Sequence, residues 1–350
     1  MSMQTTAVRL AARDWAQALG PYRKADAGRA VLELAVTFAP FAALYAAMLV
    51  AVQHGLVLLA FALTPFAAGL LVRLFMIQHD CGHGAFFPNK HANAWVGRAI
   101  GVLTMTPYDH WRRSHAIHHA TSGNLDRRGI GDIDTLTVGE YFSRSWRGRL
   151  AYRLYRNPLV MFGLGPAYLF LIENRLPIGF LRKGAMPWLS ALSTNAGIAL
   201  AAGLLIWGAG LAPVLIVHLP IVVLGATAGV WLFYVQHQFQ GTTWERSAGW
   251  SQPEAALAGS SLYELPPPLD WFSANIGIHH VHHLSSGIPF YRLGTVLRDH
   301  PDLAKVGRLS LRDSLGCVRL ALWDEGKRRL VSFREARASR RLAEPRAAAR

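Results

Sequence analysis

The sequence predicts an all-α integral membrane protein: four transmembrane helices in two hairpins, with a cytoplasmic helical cap that holds a histidine-rich metal site. Two charge-free runs predict the spans. Residues 34–72 and 184–244 contain no Asp, Glu, Lys or Arg, and a helix needs roughly 20 apolar residues to cross a bilayer, so each run accommodates two. Long buried helices of a soluble protein are the alternative, but soluble cores rarely sustain such lengths without a charge. The histidines predict the site: nine of fifteen crowd into the windows 79–83, 115–119 and 279–283.

The elements follow in order within a single domain, 1–350, that shows no internal repeat. The first thirty residues lack the short apolar core and small-residue cleavage site of a signal peptide, so anchoring is left to the hairpins. Gln53, His54 and Gly55 divide the first run into spans at 32–52 and 56–78. The cap then occupies 79–187. Within it, the stretches from Ala94 to Pro107 and from Asn157 to Ile172 are apolar but too short to span, and are expected to lie along the inner leaflet. The second run breaks at 208–213 into spans at 188–207 and 214–235. The cap resumes over 236–331, where Pro266, Pro267 and Pro268 exclude a helix and lead rigidly into the third window. The basic tail, 332–350, alternates Arg with Ala and Glu and reads as a frayed or disordered helix without chemistry.

Charge sets the orientation. Arg9, Arg13, Arg23, Lys24 and Arg29 precede the first span, and the stretch from Arg112 to Lys183 is rich in arginine, whereas both hairpin tips carry no Lys or Arg. Basic residues near span ends stay inside, so both termini and the central stretch are expected to be cytoplasmic. With an even number of spans in each run, all three windows emerge on that face and can meet. The net charge of +15 would hold the cap against anionic headgroups and attract acidic partners. No aromatic-interleaved basic motif points to nucleic acid. Cys81 and Cys317 form no disulfide framework, and Cys81 reads as a small helix-packing residue.

The windows place His79 and His83, then His115, His118 and His119, then His279, His282 and His283 at i, i+3 and i+4 spacings. On a helix these share one face, with Cβ atoms about 5 to 6 Å apart. Eight imidazoles exceed one four-coordinate zinc, and imidazole also suits iron, so two neighbouring metal ions are expected. His280 points about 100° away from His279 and is read as a residue behind the ligands or a structural one. The Glu-x-x-His pattern of soluble di-iron bundles and the His-Glu-x-x-His of zinc proteases are both absent. A haem protein or metal transporter needs ligands inside the spans, where only His218 clearly lies. His54 at a hairpin tip and His218 are expected to be packing or interfacial residues, His91 and His300 carry no spacing signal, and His110 is placed to border the site.

At these residues the chain resembles the membrane-bound fatty acid desaturases, of the bacterial acyl-lipid type related to the omega-6 (delta-12) enzymes. The resemblance rests on Met76-Ile-Gln-His-Asp-Cys-Gly-His-Gly-Ala-Phe-Phe87, Trp111-Arg-Arg-Ser-His-Ala-Ile-His-His-Ala-Thr-Ser-Gly-Asn124, Phe233-Tyr-Val-Gln-His-Gln-Phe239 and Asn275-Ile-Gly-Ile-His-His-Val-His-His-Leu284. With the hairpins it covers roughly residues 30 to 330. It implies a di-iron centre, two iron ions that use O2 and two external electrons to remove two hydrogens from a methylene pair of an acyl chain. A fatty acyl hydroxylase is the alternative within the same superfamily. The resemblance maps the family's ligands onto His79, His83, His115, His118, His119, His279, His282 and His283, and asks for one more, which is assigned to His237 where the fourth span ends.

Ligating histidines usually hand their second N–H to an acceptor. Asp80, Asp126, Asp132, Asp134 and Asp270 are the candidates, with Asp132 and Asp134 read as surface residues. Asn275, one turn before His279, is expected to hold a water on the metal or to cap the helix. Phe86, Phe87, Trp111 and Trp271 are expected to line an acyl tunnel. No flavin or haem segment is evident, so electrons come from ferredoxin or another small carrier. The acyl group rides on lipid, coenzyme A or carrier protein, and a bacterial inner membrane is the expected location.

Overall fold

The structure, a computed structural model, describes residues 12–343. Arg9, the side chain of Arg13 and residues 344–350 of the basic tail lie outside the described residues. A short helix, α1 (Ala12–Leu19), leads to Asp26, whose carboxylate accepts the Arg29 N–H at 2.8 Å and caps α2 (Ala27–Gln53). The chain turns at Gly55, whose φ of +80° suits a residue without a Cβ, and returns as α3 (Val57–Gly82). Then come α4 (Lys90–Leu103), α5 (Tyr108–Thr121), strand β1 (Leu136–Thr137), α6 (Val138–Ser143), α7 (Trp146–Tyr155), a π turn at Val160–Leu164 and α8 (Gly165–Leu171). The second hairpin is α9 (Ala185–Ala209) and α10 (Leu211–His237), joined by Gly210 at φ +87°.

Among the described residues, four helices (α2, α3, α9 and α10) are long and apolar enough to cross a membrane. Each extends beyond the span predicted from charge. At the histidine end the polar residues continue the helix instead of breaking it, so His79 lies on α3 itself and His237 is the last residue of α10. Helix α3 is central, with α2, α4 and α10 packed on it. Small residues permit the approach: a Cβ added at Gly225 of α10 would stand 3.3 Å from Leu71 of α3. Phe61, Phe66, Leu200, Leu204 and Trp207 face outward, as the outer faces of membrane helices do.

Helix α5 is seated by its first residue. Tyr108 donates to the Cys81 carbonyl at 2.8 Å, and its ring fills the space over Gly97, where an added Cβ would stand 2.3 Å from a ring carbon. This contact joins α3, α4 and α5. Cys81 is buried there, consistent with a packing role. The apolar stretch read from Ala94 forms the body of α4, and that from Asn157 forms the π turn and α8, which packs on α10.

The rest of the cap comprises α11 (Gln252–Gly259), β2 (Leu262–Glu264), α12 (Leu269–Phe272), α13 (His279–Leu284), α14 (Phe290–Asp299), β3 (Arg308–Ser310), α15 (Leu311–Cys317), β4 (Leu322–Asp324), β5 (Arg329–Val331) and α16 (Phe333–Ala343). It is mainly helical, with two small sheets added: β1-β4-β5, and β2 parallel to β3. Strands of two or three residues are too short for an alternating pattern to register. The basic tail is also ordered as far as it is described. Ser332 and Glu335 form a reciprocal pair at 3.0 and 3.2 Å that starts α16, and Ala336 is buried against the small sheet. Ser332-Phe-Arg-Glu335 is a capping-box spacing, a signal in the sequence that a reading from composition alone passes over.

Candidate metal centre

The last turn of α3 supplies His79, and His83 caps its end. Helix α5 supplies His115, His118 and His119, α10 supplies His237, and α13 supplies His279, His282 and His283. Their ligand atoms form two groups: His79, His83, His115, His119 and His282, and His118, His237, His279 and His283, each with its atoms within 4.8 Å of one another. Every predicted ligand, His237 included, falls in one of them. The group of four is wholly buried, whereas His83, His115 and His119 in the other are partly exposed.

The rings face each other through Nε2. His83 and His115 approach to 3.0 Å, His115 and His119 to 3.1 Å, His119 and His282 to 3.1 Å, His118 and His237 to 3.1 Å, and His237 and His279 to 3.0 Å. The contact between His118 and His237 cannot be a hydrogen bond between neutral rings. His118 Nδ1 lies 2.6 Å from Asp132 Oδ1, and His237 Nδ1 lies 3.2 Å from the Gly259 carbonyl. Both partners accept, so each ring keeps its proton on Nδ1 and turns a bare Nε2 lone pair toward the other. Facing lone pairs repel unless a cation lies between them. Two nitrogens bound on one ion at about 2.1 Å stand roughly 3.0 Å apart at a right angle and roughly 3.4 Å apart in a tetrahedral site, close to the spacing found here. The buried Nε2 of His283 likewise has no hydrogen-bond partner. The residues therefore fit two metal ions.

The electrostatics agree. Burial first, and then the neighbouring imidazoles, hold His83, His115, His119, His279, His282 and His283 well below the ordinary histidine range. That favours the neutral form of each ring, whose lone pair can bind a metal.

Behind the rings, Asp80 meets His79 Nδ1 at 3.1 Å through Oδ1, while its Oδ2 accepts the Phe290 N–H at 2.6 Å. Asp132 corrects the reading of it as a surface residue. Its side chain is 6% exposed, and it reaches His118 because Gly131, at φ +71°, brings the loop so close to α5 that an added Cβ would stand 3.2 Å from His118 Cβ. Asp134 is exposed, as expected. Asp126 binds Arg246 at 2.7 Å and Asp270 accepts the Trp271 N–H at 2.7 Å, so neither serves a histidine.

His280 is fully buried and lies outside both groups, in keeping with the structural alternative; its Nε2 donates to the Leu303 carbonyl at 2.9 Å, and burial pushes its pKa down to about 4. The capping expectation for Asn275 changes: it occupies a left-handed turn at φ +55°, and the residue that caps α13 is Ile278. Trp111 stacks on His115 with centroids 4.7 Å apart. Phe86 packs on Phe87 and Phe290, and Trp271 lies under Arg73. His110 borders Phe180 and not the clusters, His54 caps the end of α2, and His218 lies beside Tyr45. Sequence reading assigned no role to Phe233, which packs 5.0 Å from His118 and 5.5 Å from His237. One turn before His237 on an apolar helix, it carries no distinguishing signal.

A family model described as fatty acid desaturase matches residues 56–313, about three quarters of the chain, including every histidine of both groups. The chain belongs to the fatty acid desaturase family. It is an oxidoreductase, and it is 44% identical over 315 residues to a fatty acid desaturase of Bacillus subtilis (strain 168), a match covering 89% of this chain and 88% of that protein. The sn-1 acyl-lipid omega-3 desaturase (ferredoxin) of a Synechocystis species is 32% identical over 235 residues, 63% of this desaturase and 61% of that protein. An endoplasmic reticulum omega-3 fatty acid desaturase of Vigna radiata is 28% identical over 246 residues, 65% of this chain and 61% of that one.

Proposed function

We propose that this desaturase uses O2 to place a cis double bond in an acyl chain of membrane lipid, at an omega-6 (delta-12) type position, with nine histidines holding two iron ions. Two adjacent groups of closely spaced imidazoles, with the His118 and His237 lone pairs turned toward each other, carry the metal reading, and family membership carries the reaction. The position rests on the motif resemblance, and the lipid carrier on the acyl-lipid name of the Synechocystis relative. Bound iron supplies reduction of O2 with two external electrons and two protons, giving two waters as the methylene pair loses two hydrogens. The protein's own residues orient and enclose. Asp132 and the Gly259 carbonyl fix the tautomers of His118 and His237, and burial keeps bulk water from the group of four.

The test is expression in a desaturase-free bacterium with lipid mass spectrometry and metal analysis. About two irons per chain and a new double bond are expected. Hydroxylated lipid would reassign the outcome, and zinc without any iron-dependent product would overturn the metal reading.

Both termini and the site face the cytoplasm of a bacterial inner membrane on this reading, and an acidic ferredoxin delivers the electrons. The Synechocystis relative's name includes ferredoxin. Arg112 and Arg113 are exposed on α5, and the charge of Arg112 is felt at His83 in the less buried group. Steered docking weakens as the Debye length falls from roughly 10 Å at 0.1 M salt to 3 Å at 1 M. Turnover with ferredoxin is expected to drop across that range, and reversing both arginines to mimic it, while turnover with a chemical reductant stays level. Equal salt responses with the two reductants would remove the docking surface.

A further inference from the structure

Arg73 lies within α3, its side chain 3% exposed, and pairs with Glu33 of α2, whose side chain is 6% exposed. An ionised pair inside a membrane helix hairpin is costly and usually marks a function. Its other contacts show what it does. Arg73 Nε donates to Thr37 Oγ1 at 3.1 Å, Glu33 is also held by Arg29 at 2.6 Å, and Arg73 Nη1 donates to the Trp271 carbonyl. The guanidinium lies 4.1 Å from the Trp271 ring centroid and 5.1 Å from that of Phe290. Trp271 precedes the third histidine window and Phe290 follows it. Two further contacts press the same segment onto α3: Phe272 fills the space over Gly69, and the Phe290 N–H binds Asp80.

We infer that Arg73 is a positioning residue: held by Glu33, it clamps both ends of the segment bearing His279, His282 and His283, and so sets that window against His79 and His83. The pair is thus more than a fastening between α2 and α3. This rests on the metal reading above, so the experiment has one readout that needs no metal. Only a guanidinium supplies the donor fork and the flat face together.

The test compares Arg73→Met, Arg73→Lys and the double variant Glu33→Leu with Arg73→Met in the full-length protein in nanodiscs. Arg73→Met alone leaves the buried Glu33 with only the half-exposed Arg29 as its partner and is expected to lower membrane abundance. The double variant removes both charges, and abundance and thermal stability should recover. Hydrogen exchange of the peptides spanning 266–290 should nevertheless stay at least tenfold faster than in the parent, and iron should pass to a chelator at least tenfold faster. Arg73→Lys keeps the charge and should show the same two losses. Parent-like exchange and iron retention in the double variant would overturn the proposal and leave the pair a fastening of the hairpin. If the parent itself held no iron, the metal reading would fail, while the exchange rates would still decide the clamp.

Discussion

His118→Ala is expected to reduce double-bond formation below detection in a protein that still inserts and folds. His118 supplies one of four donors in the wholly buried group. It also faces His237 at 3.1 Å and is the ring that Asp132 holds. Alanine removes the donor and leaves a gap lined by His237, His283 and Phe233, with no fifth imidazole in that group to replace it. His54→Ala is the contrast. His54 caps α2 at the hairpin tip, and α3 runs from Val57 to His79 at 1.5 Å per residue, putting about 33 Å between tip and cluster. A substitution there is expected to change stability by no more than about 0.5 kcal/mol and leave product yield intact. Lipid mass spectrometry at matched membrane abundance reads both variants. Equal loss in the two would mean that the tip is not remote from the chemistry.

Asp132→Ala is expected to cost about 10- to 100-fold in iron affinity or activity, the usual effect of removing an acceptor behind a ligating histidine. The 2.6 Å contact with His118 Nδ1 fixes both the proton and the ring plane. Without it the imidazole can place its proton on the nitrogen that faces His237. Asp134→Ala is the matched control, two residues on and exposed. Iron retained after dialysis against a graded chelator series measures the effect. Indistinguishable retention in the two variants would show that packing alone orients His118.

The long apolar helices and the histidine groups were legible because both are written locally. Charge-free length needs no knowledge of the fold, and i, i+4 imidazoles declare a shared helix face wherever the helix lies. His237 could be chosen because the end of its span was visible in the hydropathy. Asp132 could not be ranked above Asp126 or Asp270, since its contact depends on the left-handed backbone at Gly131 bringing a loop onto α5. The small sheets were hidden for a similar reason: β1 pairs with β4 across more than half of the chain, on two residues each. Arg73 and Glu33 stood in plain view at the borders of the first run. Their partnership belongs to the antiparallel packing of α2 on α3 and has no signature in local sequence.

The histidines of the two groups belong to four chain segments between residues 79 and 283. Helices α3 and α10 are anchored in the bundle, whereas α5 and α13 belong to the cap. Each group draws on both kinds, so a bound ion would act as a rivet between cap and bundle, closing loops that the apo chain must hold shut against its own opposed lone pairs. Binding free energy then becomes stability of the cap. On the proposed iron reading, iron supply would govern whether the cap stays closed, and an iron-starved cell would accumulate an inserted bundle with a loosened cap, open to proteases at its surface loops.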